Sequence, residues 1–403
     1  MPAISRRDFT AGAVGATLLL AGCWAPGGDE SGKTIGPVPD KPGSAVQLSI
    51  LDVAGNLQLT RGMIDDFVAG NPGVVSEVSY ASATAPELAG KIKAQQNARQ
   101  LDIDLVLTGV DGLAAGIEQG LWTQLLPAYA ARLPGMRDYL PGAAAMQQLA
   151  GDFGVTITYY PSGPLIEYLP EQVPHPPLTA PRLLGYAAAN PGAVQYARPA
   201  NSGPGRTLLM GLPYLLGDAN PKDPVNGWNR TWAYLSELNK SIPFYPAGTG
   251  ETMRNLAAGT VKIIASTTGW DINPRALGTV PKQAVTGTLS GFHWVTDAHY
   301  AVLPKGVWPG KQAAVLLLLQ HLLTKDQQAK TYDKGYFYPG PAVKDVDLAM
   351  APPESRLAIA EFGRPQYPDL IARHPLEVPL GAKELIAAFD RWDRQIGAGK
   401  TAK

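Results

Sequence analysis

From Val46 onward, short apolar runs alternate with amphipathic stretches. "VQLSILDV" (Val46 to Val53) reads as a strand, Ala54-Gly55-Asn56 as a turn, and "LQLTRGMIDDFVAGNP" as a helix with Leu57, Met63, Ile64 and Phe67 on one side. "GVVSEVSYAS" with "APELAGKIKAQQNA", then "LDIDLVLTGV" with "DGLAAGIEQGLW", repeat the strand and helix order. Three such units in series predict α/β architecture, with a parallel, doubly wound sheet covered by helices on both faces. Ligands of such sheets bind beyond the carboxyl ends of the strands. That rule singles out the loops carrying Asn56, Ser82 and Thr84, and Thr108 and Asp111.

The second half starts the theme again. "FGVTITYYPS" is a strand suited to crossing between domains, and a Pro-studded connection follows it. "AVQYARPANSGPGRTLLMGLPYLLG" runs strand, polar turn, helix; "TWAYLSELNKSI" is a helix; "GETMRNLAAGTVKIIASTTGWD" is a helix, a strand and a loop. "HWVTDAHYAVLPKG" is a later strand ending in a turn, and "KQAAVLLLLQHLLTKDQQAKTYDKG" one long helix whose Leu-rich face must be buried. "KELIAAFDRWDRQI" is a final helix with Leu385, Ile386, Phe389 and Trp392 placed to dock. The expected architecture is two parallel sheets with a cleft between them. Lobe 1 takes 46–153 and about 298–345, lobe 2 takes 154–297, and 346–403 is a helical segment docking on the lobes.

The first residues follow other rules. Arg6 and Arg7 give a positive start and Ala11 to Leu20 an apolar run of signal-peptide length, too short to span a membrane. The Arg pair with Asp8 and Phe9 resembles a twin-arginine export motif, with Thr10 where Leu is more usual. Leu20-Ala21-Gly22-Cys23 resembles the lipobox of bacterial lipoproteins, which implies cleavage after residue 22 and acylation of Cys23. Two or three acyl chains there would anchor the protein stably to the outer face of the cell membrane. The segment 23–45 is rich in Gly, Pro and charge and reads as a flexible leash. Cys23 is the only cysteine of the 403 residues, so disulfides and thiolate metal sites are excluded beyond it. Lys plus Arg equal Asp plus Glu at 34 each, and that balance argues against a nucleic-acid partner.

The order of these features carries a resemblance. The lipoprotein signal, the polar leash, the two-lobed pattern, then "GTVKIIASTTGWD", "HWVTDAHYAVLPKG" and "LTKDQQAKTYDKGYFYPGPAVK" together resemble a solute-binding lipoprotein of a bacterial ABC importer. The family includes spermidine, putrescine, thiamine, ferric-ion and maltose binders. The resemblance implies the periplasmic-binding-protein fold, two lobes joined by a hinge that close over one small molecule. It implies a monomer that hands its solute to an ABC permease with its ATPase, needing no cofactor or metal and catalysing no reaction. It also implies ligand contacts from Trp294 and Asp297, although the spacing is one residue longer here than in the spermidine-like relatives.

A solute drawn out of water needs replacement hydrogen bonds, and often aromatic cover for its carbon skeleton. In "RPANSGPGRT", Asn201 and Ser202 precede a helix whose free amides suit a polar group, and Arg206 could grip a carboxylate or phosphate. The same turn can equally be an ordinary helix cap with Arg206 in an ion pair. "STTGWD" adds Thr268, Trp270 and Asp271, and Tyr336 lies in the later Tyr/Gly/Pro loop. A ring beside an acid suits a polyol, sugar or amine. A dication is poorly served by the 201–206 turn, and iron by Tyr159 and Tyr160, which point to opposite faces of a strand. The mixture favours a sugar- or polyol-like solute, then a small carboxylate or phosphonate. An extracytoplasmic hydrolase is the rival class, but neither G-x-S-x-G nor H-E-x-x-H occurs. A sensory or adhesion lipoprotein using the same cleft is a third. The five histidines are scattered, with His293 and His299 read as structural.

Overall fold

The computed structural model describes residues 36–53 and 55–401. The signal sequence and Cys23 lie outside the described residues. The last part of the expected leash, 37–45, lies on the fold: Arg132 donates to the carbonyls of Pro39 and Asp40, and Val38 packs on the core.

Among the described residues, eleven strands form two sheets. They are β1 (Val46–Val53), β2 (Val75–Ala83), β3 (Leu105–Thr108), β4 (Gly154–Gly163), β5 (Leu165–Tyr168), β6 (Val194–Gln195), β7 (Ile263–Ser266), β8 (Val285–Gly287), β9 (Trp294–Val302), β10 (Gly340–Pro341) and β11 (Leu376–Glu377). The larger sheet runs β10-β4-β9-β3-β1-β2, with β11 beside β9, and the smaller runs β6-β7-β5-β8. The three expected strand and helix units are present, and β1 pairs in parallel with β2 and β3. The sheets are not parallel throughout, however. β9 is antiparallel to both β3 and β4, and β5 is antiparallel to β7 and β8. Parallel neighbours need a crossover that lifts the chain over the sheet. β9 instead arrives directly from the smaller sheet and so runs against its neighbours.

Only Pro164 separates β4, in the larger sheet, from β5, in the smaller. The sheets therefore change at residues 163–165, and all of β4 and β9 belongs to the larger one. Strand alternation divides the core. Val46, Leu48 and Ile50 face Met63, Ile64 and Phe67 and the Leu-rich helix Pro309–Leu322, whereas Leu51 and Val53 face Leu88, Ile92 and Leu113.

Two expected elements differ. The long helix predicted from Lys311 stops at Leu322, because Thr324 turns extended and its carbonyl caps a new turn at Gln328. Gln328 then donates to the carbonyls of Leu322 and Ile157. The "TTGWD" loop is instead the start of helix Thr268–Ala276, with the Thr267 hydroxyl accepting from the Trp270 amide. The final helix, Ala382–Gln395, packs on helix Val110–Glu118. Trp392 Nε1 also donates to the Tyr196 hydroxyl and Arg198 pairs with Asp393, which ties the same helix to the smaller lobe.

Candidate functional site

A cavity of about 260 Å³ opens where the strand ends of the two sheets face each other. Its larger-lobe wall holds Asp111, in the first turn of the helix after β3, with Asp297 and His299 of β9. Its smaller-lobe wall holds Asn201, Ser202, Gly203 and Arg206 at the start of helix Gly203–Leu216, and Thr249 and Trp270 from two further helix starts. The loop bearing Tyr336 and Phe337 closes one side.

Arg206 is the centre of the arrangement. Its Nη1 donates to Asp111 Oδ2 at 2.9 Å and its Nη2 to Asp297 Oδ2 at 2.6 Å, so one guanidinium spans two carboxylates of the opposite lobe. All three side chains are at least nine-tenths buried. The Tyr160 hydroxyl donates to the same Asp297 oxygen at 3.3 Å. Burial pushes the Asp297 carboxyl above its ordinary value while Arg206 pulls it back; the guanidinium at 2.6 Å favours its ionised form. Burial opposes the charge on Arg206, but Asp297 and Asp111 outweigh it and hold the guanidinium more firmly protonated. His299 is driven down to about 3 by burial and by the Arg206 charge, so its imidazole is neutral. His299 Nδ1 and Arg206 Nε are buried without a partner.

The local sequence explains the walls. Ser202 caps its helix by accepting from the Gly205 amide at 3.1 Å, and its hydroxyl meets Thr249 Oγ1 at 2.8 Å. Asn201 Nδ2 is tied to the Ala247 carbonyl. Gly269 lets the Phe337 backbone approach, since a Cβ there would lie 2.4 Å from the Phe337 nitrogen. The adjacent Trp270 meets Tyr336 edge to face at 5.8 Å, and Phe337 lies 3.8 Å from the His299 ring.

Of the residues expected from sequence, the structure brings Asp111, Asn201, Ser202, Arg206, Trp270, Asp297 and Tyr336 to this cavity. The others lie elsewhere. Ser82 and Thr84 are exposed, and Thr84 is spent on a capping box with Glu87. Asn56 and Thr108 are buried beside the cavity lining, with the Asn56 amide and Thr108 Oγ1 unpartnered. Thr268 Oγ1 donates to the Tyr338 carbonyl, and Trp294 is a core residue donating to the Leu370 carbonyl. Asp271 points away into an ion-pair cluster with Arg275 and Arg364. Sequence reasoning missed His299, Phe337 and Thr249. His299 was legible, because it stands two residues after Asp297 on one strand and so shares its face.

Residues 62–357 match the family of bacterial extracellular solute-binding proteins, and the chain belongs to that family. It is therefore a solute binder of the extracytoplasmic space, not an enzyme. No curated protein matches it in sequence. Among solved structures, an ABC transporter protein from Clostridium perfringens is similar at 13% identity and a TM-score of 0.63, over 88% of this chain and 99% of that one. The spermidine/putrescine ABC transporter substrate-binding protein PotD of Streptococcus pneumoniae is similar at 14% identity and a TM-score of 0.56, over 86% and 99%. The periplasmic binding protein AfuA of Actinobacillus pleuropneumoniae, with exogenous fructose-6-phosphate bound, is similar at 14% identity and a TM-score of 0.59, over 88% and 100%. At these identities the likeness is one of fold, that of periplasmic binding proteins.

Proposed function

We propose that this protein is the substrate-binding component of an ABC importer, tethered as a monomer through a lipid on Cys23, which captures a small hydroxylated solute and presents it to a permease. The observation that carries the reading is a polar, aromatic-edged cavity built from both lobes. A site whose two walls come from separate sheets can close over a solute and release it again. Hydroxyl groups of a polyol or sugar can donate to the carboxylates of Asp111 and Asp297 and exchange bonds with Ser202 and Thr249, while Trp270 and Tyr336 cover C–H surface. The second candidate, a small carboxylate or phosphonate, loses support because Arg206 already serves two carboxylates. An anion would have to displace one of them into a buried site.

Thermal denaturation of the full chain against sugars, polyols, amines and organic acids tests this. A solute at a hundred times its Kd stabilises the folded state by about 2.7 kcal/mol. Stabilisation by hydroxylated solutes supports the reading, and stabilisation by organic acids alone overturns it. Lipid attachment is tested separately, by mass spectrometry of the membrane-associated protein and of its Cys23→Ala variant.

A further inference from the structure

We infer that the solute is a hydroxylated amine carrying a single positive charge, its ammonium group taken by Asp111 and Asp297 alongside Arg206. The inference rests on the reading of this cavity as the solute site and narrows the chemical class.

The argument begins with charge. The ionisable residues lining the cavity are Asp111, Arg206, Asp297 and His299, together with the Tyr336 phenol. The imidazole of His299 is neutral, and burial holds the Tyr336 phenol protonated as well. One guanidinium therefore faces two carboxylates, and the cavity lining carries one negative charge in excess. Buried charge without a counter-charge is costly, and the cost rises as water leaves on closure. A neutral polyol leaves that excess in place, an anion doubles it, and a dication reverses it. One ammonium cancels it.

Hydrogen bonding leads to the same class by an independent route. Each carboxylate already accepts from Arg206 and from a backbone amide, Gly112 for Asp111 and Ala298 for Asp297. Asp297 Oδ2 is filled by Arg206 and Tyr160, but Asp297 Oδ1 and both Asp111 oxygens each keep a further lone pair, and ionised carboxylates only accept. His299 lines the same wall as a neutral imidazole, and its buried Nδ1 has no partner. The two carboxylates make that wall rich in acceptors. An ammonium brings three donors to such a wall, and its charge is further favoured near the Trp270 and Tyr336 rings. The hydroxyl pair of Ser202 and Thr249, on the other wall, suits the hydroxyl groups of the same solute.

Calorimetry of the full chain with matched pairs tests the inference: glycerol against serinol, glucose against glucosamine, and glucosamine against N-acetylglucosamine, which keeps the skeleton and loses the charge. The expected result is that an amine binds at least about tenfold tighter than its neutral partner and that N-acetylation removes the gain. Asp111→Asn should abolish the preference. If that variant does not fold, raising the salt concentration on the native chain is the second measurement, with no loss expected for a buried ion pair. A neutral partner that binds as well as its amine overturns the inference and leaves the hydroxylated-solute reading standing. Binding confined to organic acids overturns both.

Discussion

Arg206 Nη2 donates to Asp297 Oδ2 at 2.6 Å, and this bond joins the first turn of a helix in the smaller lobe to a central strand of the larger one. With Asp111 on Nη1, the guanidinium joins the two cavity walls. Removing it leaves two buried carboxylates close to each other and unpaired. Arg206→Met should therefore cost about 3–5 kcal/mol, the usual penalty for breaking a buried pair from one side. Arg206→Lys should recover only part of this, because a single ammonium cannot fork between two carboxylates. Urea unfolding of the three proteins checks both statements, and a native midpoint for Arg206→Met would count against the latch.

Trp270 has a different role. It is half-buried, it edges the cavity, and its neighbour Gly269 fits beneath the Phe337 backbone. Trp270→Ala should weaken solute binding by about tenfold, in line with the worth of one aromatic contact. The melting temperature should fall little. Calorimetry with the bound solute, beside a thermal scan, separates the two effects, and a large stability loss with unchanged affinity would make Trp270 a packing residue.

Much of this was legible in the sequence. The strand Val46–Val53 and the helix Leu57–Gly70 follow from alternation and period, and they were placed without a tertiary fact. Asp111 and the Asn201 to Arg206 turn stand at helix starts, where polar side chains and free amides collect. Reading failed where partners are remote along the chain. Asp271 stands next to Trp270 and looks equally available, but the helix swings its side chain about 100° away from that of Trp270, and Arg364, from a distant segment, claims it. Resemblance makes Trp294 a ligand contact, but the structure packs it among Phe292 and Tyr367. That Arg206 would serve Asp111 and Asp297 rather than an anion depends on two lobes meeting, which no local pattern records.

Glu167 gives the smaller lobe a pH dependence. Its carboxyl is fully buried and pushed up to about 8, chiefly by burial and then by the charge of Asp271, while Ser266 Oγ donates to Oε2 at 2.7 Å. The native state thus holds a proton that the unfolded chain releases near 4.5. Between those values the folded protein binds more protons, so this group's contribution to stability is full below pH 4.5, falls as pH rises towards 8, and is level above it. Glu167→Gln imitates the protonated form and should remove that slope. The variant should gain stability over the native chain at pH 8 and gain nothing at pH 4.5. Equal differences at the two pH values would show that Glu167 titrates normally.

The same slope should respond to Asp271, which never touches the cavity. Asp271 accepts from Arg275 Nε at 3.0 Å, from Arg364 Nη2 at 2.7 Å and Nε at 3.0 Å, and from the Tyr367 hydroxyl at 2.5 Å. Its negative charge is one reason that Glu167 stays protonated. In Asp271→Asn the two arginines lose their carboxylate and Glu167 loses its repelling neighbour. Both changes favour ionised Glu167, which would then partly replace the missing charge. Asp271→Asn should accordingly destabilise at neutral pH by about 3 kcal/mol or more, and its stability should no longer fall between pH 4.5 and 8. The double variant with Glu167→Gln should be worse than the sum of the single changes, because it removes both sources of negative charge facing Arg275 and Arg364. Chemical unfolding of the four proteins across that pH range measures this directly. Additive effects would mean that the two carboxyl groups act independently.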